Sequence, residues 1–278
     1  MSPAGRPKGE PRAREREGSP MSEHLRVAVD GAVATITLDR AEKLNALTTA
    51  MLGALEAACA ALDRDEAVRA VVVASSSTKA FCAGADILEW GPLGAVGMWQ
   101  RWIRDGQRVF DRLARLRQPT IAAIGGIAYG GGLELALACD LRIASDAARF
   151  AFPEVTIGAV PGWAGSQRLP RVIGAGRAKQ LILLGQPIDA ATAAAWGLVS
   201  EIVPADRLPQ RALELARRIV ENAPTAVQAA KQLVDAAAGE GVATTLEALA
   251  AGLAAGTADA HEGIRAFREK RKPKFTGR

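Results

Sequence analysis

Tyr129-Gly130-Gly131-Gly132-Leu133-Glu134 joins three consecutive glycines to a carboxylate. The apolar run before it, residues 121–124, predicts a buried strand that gives way to a helix at the glycines. The first N–H groups of a helix have no partner inside it, so they can hold an oxyanion. A second carboxylate, Glu154, follows twenty positions after Glu134. Main-chain donors beside two acids indicate proton transfer next to a carbonyl.

Strands and helices alternate on either side of this stretch. Asp30-Gly31, a pair typical of tight hairpin turns, separates two predicted strands between Leu25 and Leu38. The pattern predicts further strands at residues 71–74 and 141–144, helices at residues 48–63, 95–117 and 133–139, and mostly helix from about residue 163. Alternation followed by a helical end predicts an α/β fold with a helical C-terminal region.

Three segments are expected from composition. Residues 1–20 are rich in Arg, Pro, Glu and Gly and hold almost nothing apolar, which predicts a disordered leader. A mitochondrial presequence is the alternative for this segment, but its three glutamates and interior prolines argue against it. Residues 21–205 are predicted to form the core domain, and residues 206–278 the helical C-terminal region.

The net charge of +5 does not come from the body of the chain. Residues 1–20 carry +2 and residues 261–278 carry +5, so the part between them is about −2 by subtraction. No aromatic series accompanies the basic ends, and we therefore expect no nucleic-acid partner. No run approaches the roughly 20 apolar residues that span a bilayer, so no membrane partner is expected. Three cysteines and the lack of an apolar signal core favour the cytoplasm.

Several common catalytic sites are excluded by what the chain lacks. The only histidines, His24 and His261, lie near the two ends, which argues against a Ser-His-Asp relay and a histidine-rich metal site. No Gly-Lys-Ser/Thr follows the glycines, and Leu135 stands where the last glycine of a dinucleotide-binding motif belongs. Carboxylates and main-chain N–H donors remain as the candidate catalytic groups.

The chain resembles the enoyl-CoA hydratase/isomerase, or crotonase, superfamily. The resemblance rests on six blocks in order: FCAGADI (81–87), AYGGGLELA (128–136), CDLRIA (139–144), FPEVTIG (152–158), PGWAGSQRLPR (161–171) and AFREKRKPKF (266–275). It implies a crotonase-like spiral of ββα units with a helical C-terminal region. It also implies a homotrimer or homohexamer, and an acyl-CoA thioester as the substrate. Coenzyme A is then part of the substrate, and neither another cofactor nor a metal is expected.

The resemblance also implies roles for four residues. The thioester oxygen would lie between the N–H groups of Ala85 and Gly131, and the two catalytic acids would be Glu134 and Glu154. The implied reaction is reversible syn hydration of a trans-2-enoyl-CoA to a 3-hydroxyacyl-CoA. An enoyl-CoA isomerase, another crotonase-type lyase or decarboxylase, and an RNA-binding homologue remain alternatives.

The resemblance also implies substrate contacts, at positions spread along the chain. Lys43 and Leu44 match a segment that borders the adenine, and Phe267 and Lys270 match tail positions that reach the coenzyme of a neighbouring subunit. The remaining predicted contacts with the acyl-pantetheine part are Ala83, Ala85, Asp86, Ile87, Leu88, Gly131 and Trp163.

Some of these residues have simpler interpretations. Asp86 could be the N-cap of a helix, and Glu134 could be a first-turn acid favoured by the helix dipole. Cys82 is expected to be a small core residue, with reactivity near the oxyanion site as the alternative. Trp163 and Ala164 stand where family members keep glycines, so Trp163 either reshapes the acyl pocket or caps a helix. Residues 89–98 also depart from the commoner hydratase sequence and, with Trp163, bear on chain-length preference.

Overall fold

The structure is a computed structural model that describes residues 14–15 and 23–277. Within the predicted leader, Arg14–Glu15 form a short strand paired with residues 28–29. The rest of the leader lies outside the described residues, so its disorder stays a prediction.

The strands of the described chain are β1 (Arg14–Glu15), β2 (Leu25–Asp30), β3 (Val33–Leu38), β4 (Ala70–Ser75), β5 (Ala80–Cys82), β6 (Thr120–Ile124), β7 (Ile127–Tyr129), β8 (Leu141–Ser145), β9 (Arg149–Ala151), β10 (Ile188–Asp189) and β11 (Glu201–Val203). The α-helices are α1 (Thr49–Arg64), α2 (Ile87–Trp90), α3 (Ala95–Gly97), α4 (Arg104–Ala114), α5 (Gly131–Leu137), α6 (Gly165–Ile173), α7 (Ala175–Leu184), α8 (Ala190–Ala195), α9 (Leu208–Val220), α10 (Pro224–Ala237), α11 (Val242–Ala255) and α12 (Ala258–Arg268). Short 3₁₀ helices cover Ala41–Lys43 and Pro153–Ile157, and a π-helical turn covers Met98–Ile103.

The strands of the described chain form two sheets. The larger sheet has the order β1-β2-β3-β4-β6-β8-β11, and the smaller has the order β10-β9-β7-β5. Strands that follow one another in the chain are shared between the two sheets. In each of the pairs β4/β5, β6/β7 and β8/β9, the first strand belongs to the larger sheet and the second to the smaller one. Repetition of this step, with helices between the pairs, produces a spiral of ββα units. The prediction of an α/β fold is confirmed.

Both faces of the larger sheet are covered. Val71 and Val73 of β4 point into the main core, which includes α1 and α4, whereas Ala70 and Val72 pack towards α9. A strand buried on both faces reads as a continuous apolar run, as residues 70–74 do. The position of β4 in the middle of the sheet therefore follows from its sequence.

Local sequence explains where several elements begin and turn. Gly31 has a φ of +57°, the left-handed conformation that the hairpin between β2 and β3 requires. Thr48 caps α1 by accepting a hydrogen bond from the N–H of Met51. The predicted hairpin and the predicted helix at residues 48–63 are both confirmed.

The smaller sheet was not predicted from the sequence. Its strands are two or three residues long. A period of two cannot be recognised in so short a segment, and glycines at the strand ends mask it further. Within the described chain, these strands pair only with one another, β5 with β7, β7 with β9 and β9 with β10, so the sheet depends on contacts between segments that are distant in the sequence.

By contact density, the chain divides into one compact unit that ends at Val227 and another that begins at Gln228. Helix α9 lies in the first unit and packs on the larger sheet, although the predicted C-terminal region begins at residue 206. In the second unit, Glu262 accepts hydrogen bonds from the side chain of Arg271 and the N–H of Lys274 (2.6 and 3.0 Å). Within the described residues, no helix is long and apolar enough to cross a membrane.

Candidate active site

A cavity of about 140 Å³ lies in the first unit, where α5 meets the 3₁₀ helix that holds Glu154. Glu134 and Glu154 both line it, together with Ala85 and Gly131. The rest of its wall is largely apolar and is formed by Trp90, Met98, Trp102, Ile103, Ile157 and Trp163, among others. The four residues with predicted catalytic roles therefore meet at one cavity.

Glu134 is buried, and its carboxylate is held by the main chain. Its Oε1 accepts hydrogen bonds from the N–H groups of Trp163 and Gly165, both at 2.7 Å. Burial raises the pKa of Glu134 to about 7; these two hydrogen bonds and the charge of Arg168 oppose the rise, and repulsion from Glu154 adds to it. Glu134 is thus more than a first-turn acid facing solvent, because its carboxylate is buried and fixed in one orientation.

Glu154 lines the same cavity and packs against the glycine turn. A Cβ placed on Gly130 would lie 2.6 Å from the Oε1 of Glu154, and Gly130 has a φ of +49°. Only glycine satisfies both conditions at this position. Burial raises the pKa of Glu154 to about 7, and its Oε2 is buried without a hydrogen-bond partner among the described residues. Such an oxygen favours a bound proton or a ligand that donates to it.

The N–H of Ala85 points away from the strand that supports it. Leu47 donates to the carbonyl of Gly84 (2.8 Å) and accepts from the N–H of Asp86 (2.9 Å). In this parallel bridge, the hydrogen bonds pass to the residues on either side of Ala85. No acceptor within the described chain takes the Ala85 N–H, which stays available for a ligand.

The amide of Gly131 lies next to that of Ala85. Gly131 is the first residue of α5, so its N–H has no partner within the helix. A Cβ on Gly131 would lie 3.3 Å from the nitrogen of Ala85 and 2.7 Å from Cζ3 of Trp163, so the site leaves no room for a side chain there. Two neighbouring main-chain donors at the cavity wall have the arrangement that an oxyanion hole needs.

Asp86 serves the structure of the loop rather than offering its carboxylate to the cavity. Its carboxylate accepts from the N–H of Leu88 (2.9 Å), which makes it the N-cap of α2, and from Nη1 of Arg40 (2.6 Å). The Arg40 contact and the Leu88 N–H hold the pKa of Asp86 below its usual value, with the Arg40 hydrogen bond as the largest cause. Arg40 also donates to the carbonyl of Ala46 (2.9 Å) and so ties together the two segments that frame Ala85.

Trp163 is a wall of the cavity and not a helix cap. The N-cap of α6 is Ala164, with a φ of +76°. The Trp163 indole is buried, and its Nε1–H donates to the carbonyl of Trp102 (3.2 Å). Of the two interpretations of Trp163, the structure supports the one that shapes the pocket.

Cys82 is a core residue. It is fully buried, and burial raises the pKa of its thiol to about 12. Because the thiolate is the nucleophile, such a thiol is inert at neutral pH.

The remaining predicted contacts divide into three groups. Ala83 and Ile87 line the cavity with the catalytic candidates. Lys43, Leu44 and Leu88 are exposed and do not line it. Phe267 and Lys270 belong to the second unit, where Phe267 is 85% exposed, and their contact with coenzyme A stays a prediction.

Sequence reasoning missed residues that support the site. Arg40 and Arg168 contact partners 46 and 57 positions away, Asp86 and Asp111, and no local pattern announces such pairs. Met98 and Trp102 also line the cavity. Met98 lies in residues 89–98, the segment expected to depart from the commoner hydratase sequence, and Trp102 follows it in the helix predicted over residues 95–117, where an apolar face was the available signal. Among the described residues, no three His, Cys, Asp or Glu side chains are grouped to hold a metal.

Comparison with known proteins bears on this arrangement. The model of the family described as enoyl-CoA hydratase/isomerase matches residues 28–278. The chain belongs to the enoyl-CoA hydratase/isomerase family. The predicted resemblance is confirmed, as is the prediction of an enzyme of this family.

Individual relatives of this family cover most of the chain. A "Short-chain-enoyl-CoA hydratase" of Clostridium acetobutylicum is 41% identical, over 87% of this chain and 94% of its own. A "Crotonyl-CoA hydratase" of Syntrophomonas wolfei is 38% identical, over 91% and 98% respectively. The crystal structure of enoyl-CoA hydratase from Bacillus anthracis superposes with a TM-score of 0.77 at 37% identity and covers 92% of this chain and all of that one. The fold is therefore the crotonase fold.

Proposed function

We propose that the chain catalyses reversible syn hydration of a trans-2-enoyl-CoA to a 3-hydroxyacyl-CoA. The observation that carries the proposal is the meeting of Glu134 and Glu154 with the N–H groups of Ala85 and Gly131 at one cavity. The names of two relatives, a short-chain-enoyl-CoA hydratase and a crotonyl-CoA hydratase, support it.

The main-chain donors act on the thioester oxygen. As water adds to the double bond, negative charge moves to this oxygen in an enolate-like species. The N–H groups of Ala85 and Gly131 stabilise that charge from fixed positions in a site of low polarity. A donor of this kind typically lowers a barrier by about 3 kcal/mol.

The two acids divide the proton transfers. The two N–H bonds to its Oε1 favour the ionised form of Glu134, which makes it the base. The unpartnered Oε2 of Glu154 favours the protonated form, which makes it the acid. The water oxygen bonds to C3 and its proton passes to Glu134, while the proton of Glu154 passes to C2. One water is consumed, and return of the proton from Glu134 to Glu154 resets the pair.

Other reactions remain as alternatives with less support. An enoyl-CoA isomerase shifts a double bond with one base, so a second carboxylate at the cavity favours hydration. Another crotonase-type lyase or decarboxylase would use the same oxyanion donors on a different substrate. An RNA-binding homologue would have the same fold, but its two glutamates would take no part in catalysis.

Crotonyl-CoA hydration by the wild type, Glu134→Gln and Glu154→Gln tests the proposal. We expect each variant to lose at least about a hundredfold in kcat, the usual range for a general acid or base. An exposed-site variant, Glu66→Gln, should keep wild-type activity. Unchanged hydration in both active-site variants would refute the mechanism, and isomerisation of a 3-enoyl-CoA without hydration would favour the isomerase. RNA retention at physiological salt would favour the binding alternative.

We also propose that the chain forms a homotrimer or homohexamer. Helix α11 has no buried residue in this chain, and Leu246 and Leu253 are largely exposed. An apolar helix surface of this kind is expected to be covered by a partner. Light scattering should give three or six times the 29.0 kDa of one chain, and Leu246→Asp should lower that mass. A monomeric wild type would contradict the proposal.

Coenzyme A, as part of the substrate, is the only cofactor-like group that the proposal needs. A cytoplasmic location is proposed from the cysteines, three buried thiols that suit a reducing compartment.

A further inference from the structure

The indole of Trp163 fills a space between two glycines. A Cβ on Gly106, in α4, would lie 2.1 Å from Nε1 of Trp163. A Cβ on Gly131 would lie 2.7 Å from Cζ3 at the other end of the indole. The indole therefore contacts the backbone at both glycines, and it fills the space between α4 and the proposed oxyanion site.

The indole is also fixed in place. Its Nε1–H donates to the carbonyl of Trp102, and its ring packs against those of Trp102 (centroids 5.4 Å apart) and Phe110 (5.3 Å apart). Two aromatic neighbours and a hydrogen bond leave it no alternative rotamer without disturbing the core. The indole is therefore a rigid wall of the cavity.

The cavity that this wall lines is small. Its volume of about 140 Å³ is close to that of the roughly 150 Å³ apolar cavity that holds one benzene in an engineered protein, about six carbons. The benzo edge of Trp163 lies against Gly131, where the thioester oxygen would bind, so the acyl chain would begin its path beside the indole. Ile103 also lines the cavity, where it packs against Gly162: a Cβ on Gly162 would lie 2.4 Å from its Cδ1.

From this geometry we propose that Trp163 determines specificity by limiting the acyl group to about four to six carbons. The inference rests on the proposed function for the identity of the substrate. The main-chain N–H of Trp163 also donates a hydrogen bond to Oε1 of Glu134. Because this bond does not involve the indole, substitution of the side chain leaves it in place.

The test measures kcat/KM for trans-2-enoyl-CoA substrates of four, six, eight and ten carbons. We expect the wild type to favour four carbons over ten by about tenfold or more. Trp163→Ala should raise the ratio of ten-carbon to four-carbon activity by about tenfold or more. Trp163→Phe, which removes less of the ring and perturbs the core less, should shift the ratio in the same direction by a smaller factor.

Leu62→Ala is the control for loss of core packing. Leu62 is buried in α1 and does not line the cavity. Its substitution should lower stability and leave the chain-length ratio unchanged. An equal shift in Leu62→Ala, an unchanged ratio in both Trp163 variants, or a wild type that accepts ten carbons as well as four would each overturn the proposal.

A binding measurement separates this proposal from the proposed reaction. Dissociation constants of butyryl-CoA and decanoyl-CoA, measured by calorimetry, report the pocket without any hydration. If the wild type hydrates no substrate, the proposed function fails. A wild type that binds butyryl-CoA more tightly than decanoyl-CoA, with the difference lost in Trp163→Ala, would then still support Trp163 as the residue that limits acyl length. Equal affinities for both ligands in the wild type would refute that role.

Discussion

Replacing Glu134 by Gln should stabilise the folded chain above neutral pH. Burial raises the pKa of Glu134 from 4.5 to about 7 in the folded state. Between these two values the folded chain binds more protons than the unfolded chain, so stability falls as the pH rises. The favourable contribution is complete below pH 4.5 and is lost as the pH passes through about 7.

The size of the effect follows from the shift. One pKa unit corresponds to about 1.4 kcal/mol, so the ionised Glu134 costs the folded state about 3 kcal/mol at pH 8.5 compared with pH 4.5. Glutamine keeps an Oε1 that accepts from Trp163 and Gly165 but carries no charge. The stability advantage of Glu134→Gln should therefore grow by about 3 kcal/mol between pH 5 and pH 8.5.

Urea unfolding at both pH values, at one protein concentration, measures this difference. Glu66→Gln, a change at an exposed glutamate, controls for loss of a surface charge. If the advantage of Glu134→Gln over the wild type were the same at pH 5 and pH 8.5, the carboxylate would not be desolvated as argued.

Because burial raises the pKa of both glutamates to about 7, kcat/KM for crotonyl-CoA should peak near pH 7 and fall on either side, and a flat profile from pH 5 to pH 9 would argue against the acid–base pair. Arg40→Met should lower the free energy of unfolding by about 3 kcal/mol and reduce kcat, because Asp86 keeps a nearly buried charge without its partner; Asp86→Asn should cost less, and equal losses would contradict this account. Cys82 should resist iodoacetamide at pH 8 in the native protein and react after unfolding, and rapid native alkylation would show that its thiol is accessible.

The sequence predicted features that depend on local patterns. The Asp30-Gly31 hairpin, the helix after Thr48 and the buried β4 each follow from turn chemistry, capping or apolar runs. The placement of Glu134 and Glu154 at one cavity followed from family motifs, since no local rule relates positions twenty residues apart.

Features made by distant contacts could not be predicted in this way. The main-chain N–H groups of Trp163 and Gly165 fix Glu134 because Ala164 adopts a left-handed conformation, which its side chain does not favour. Asp86 was predicted either as a helix N-cap or along the pantetheine path; the N-cap is confirmed, but no local pattern indicates its hydrogen bond from Arg40, 46 positions earlier. Both arrangements exist only once the sheets have brought separate loops together.

A crystal structure of the enzyme with a saturated acyl-CoA tests the central claim most directly. We expect the thioester oxygen to lie about 2.7–3.1 Å from the nitrogens of both Ala85 and Gly131, with C2 and C3 between the carboxylates of Glu134 and Glu154. A thioester oxygen bound away from these amides, or an acyl chain that leaves either carboxylate out of reach, would contradict it.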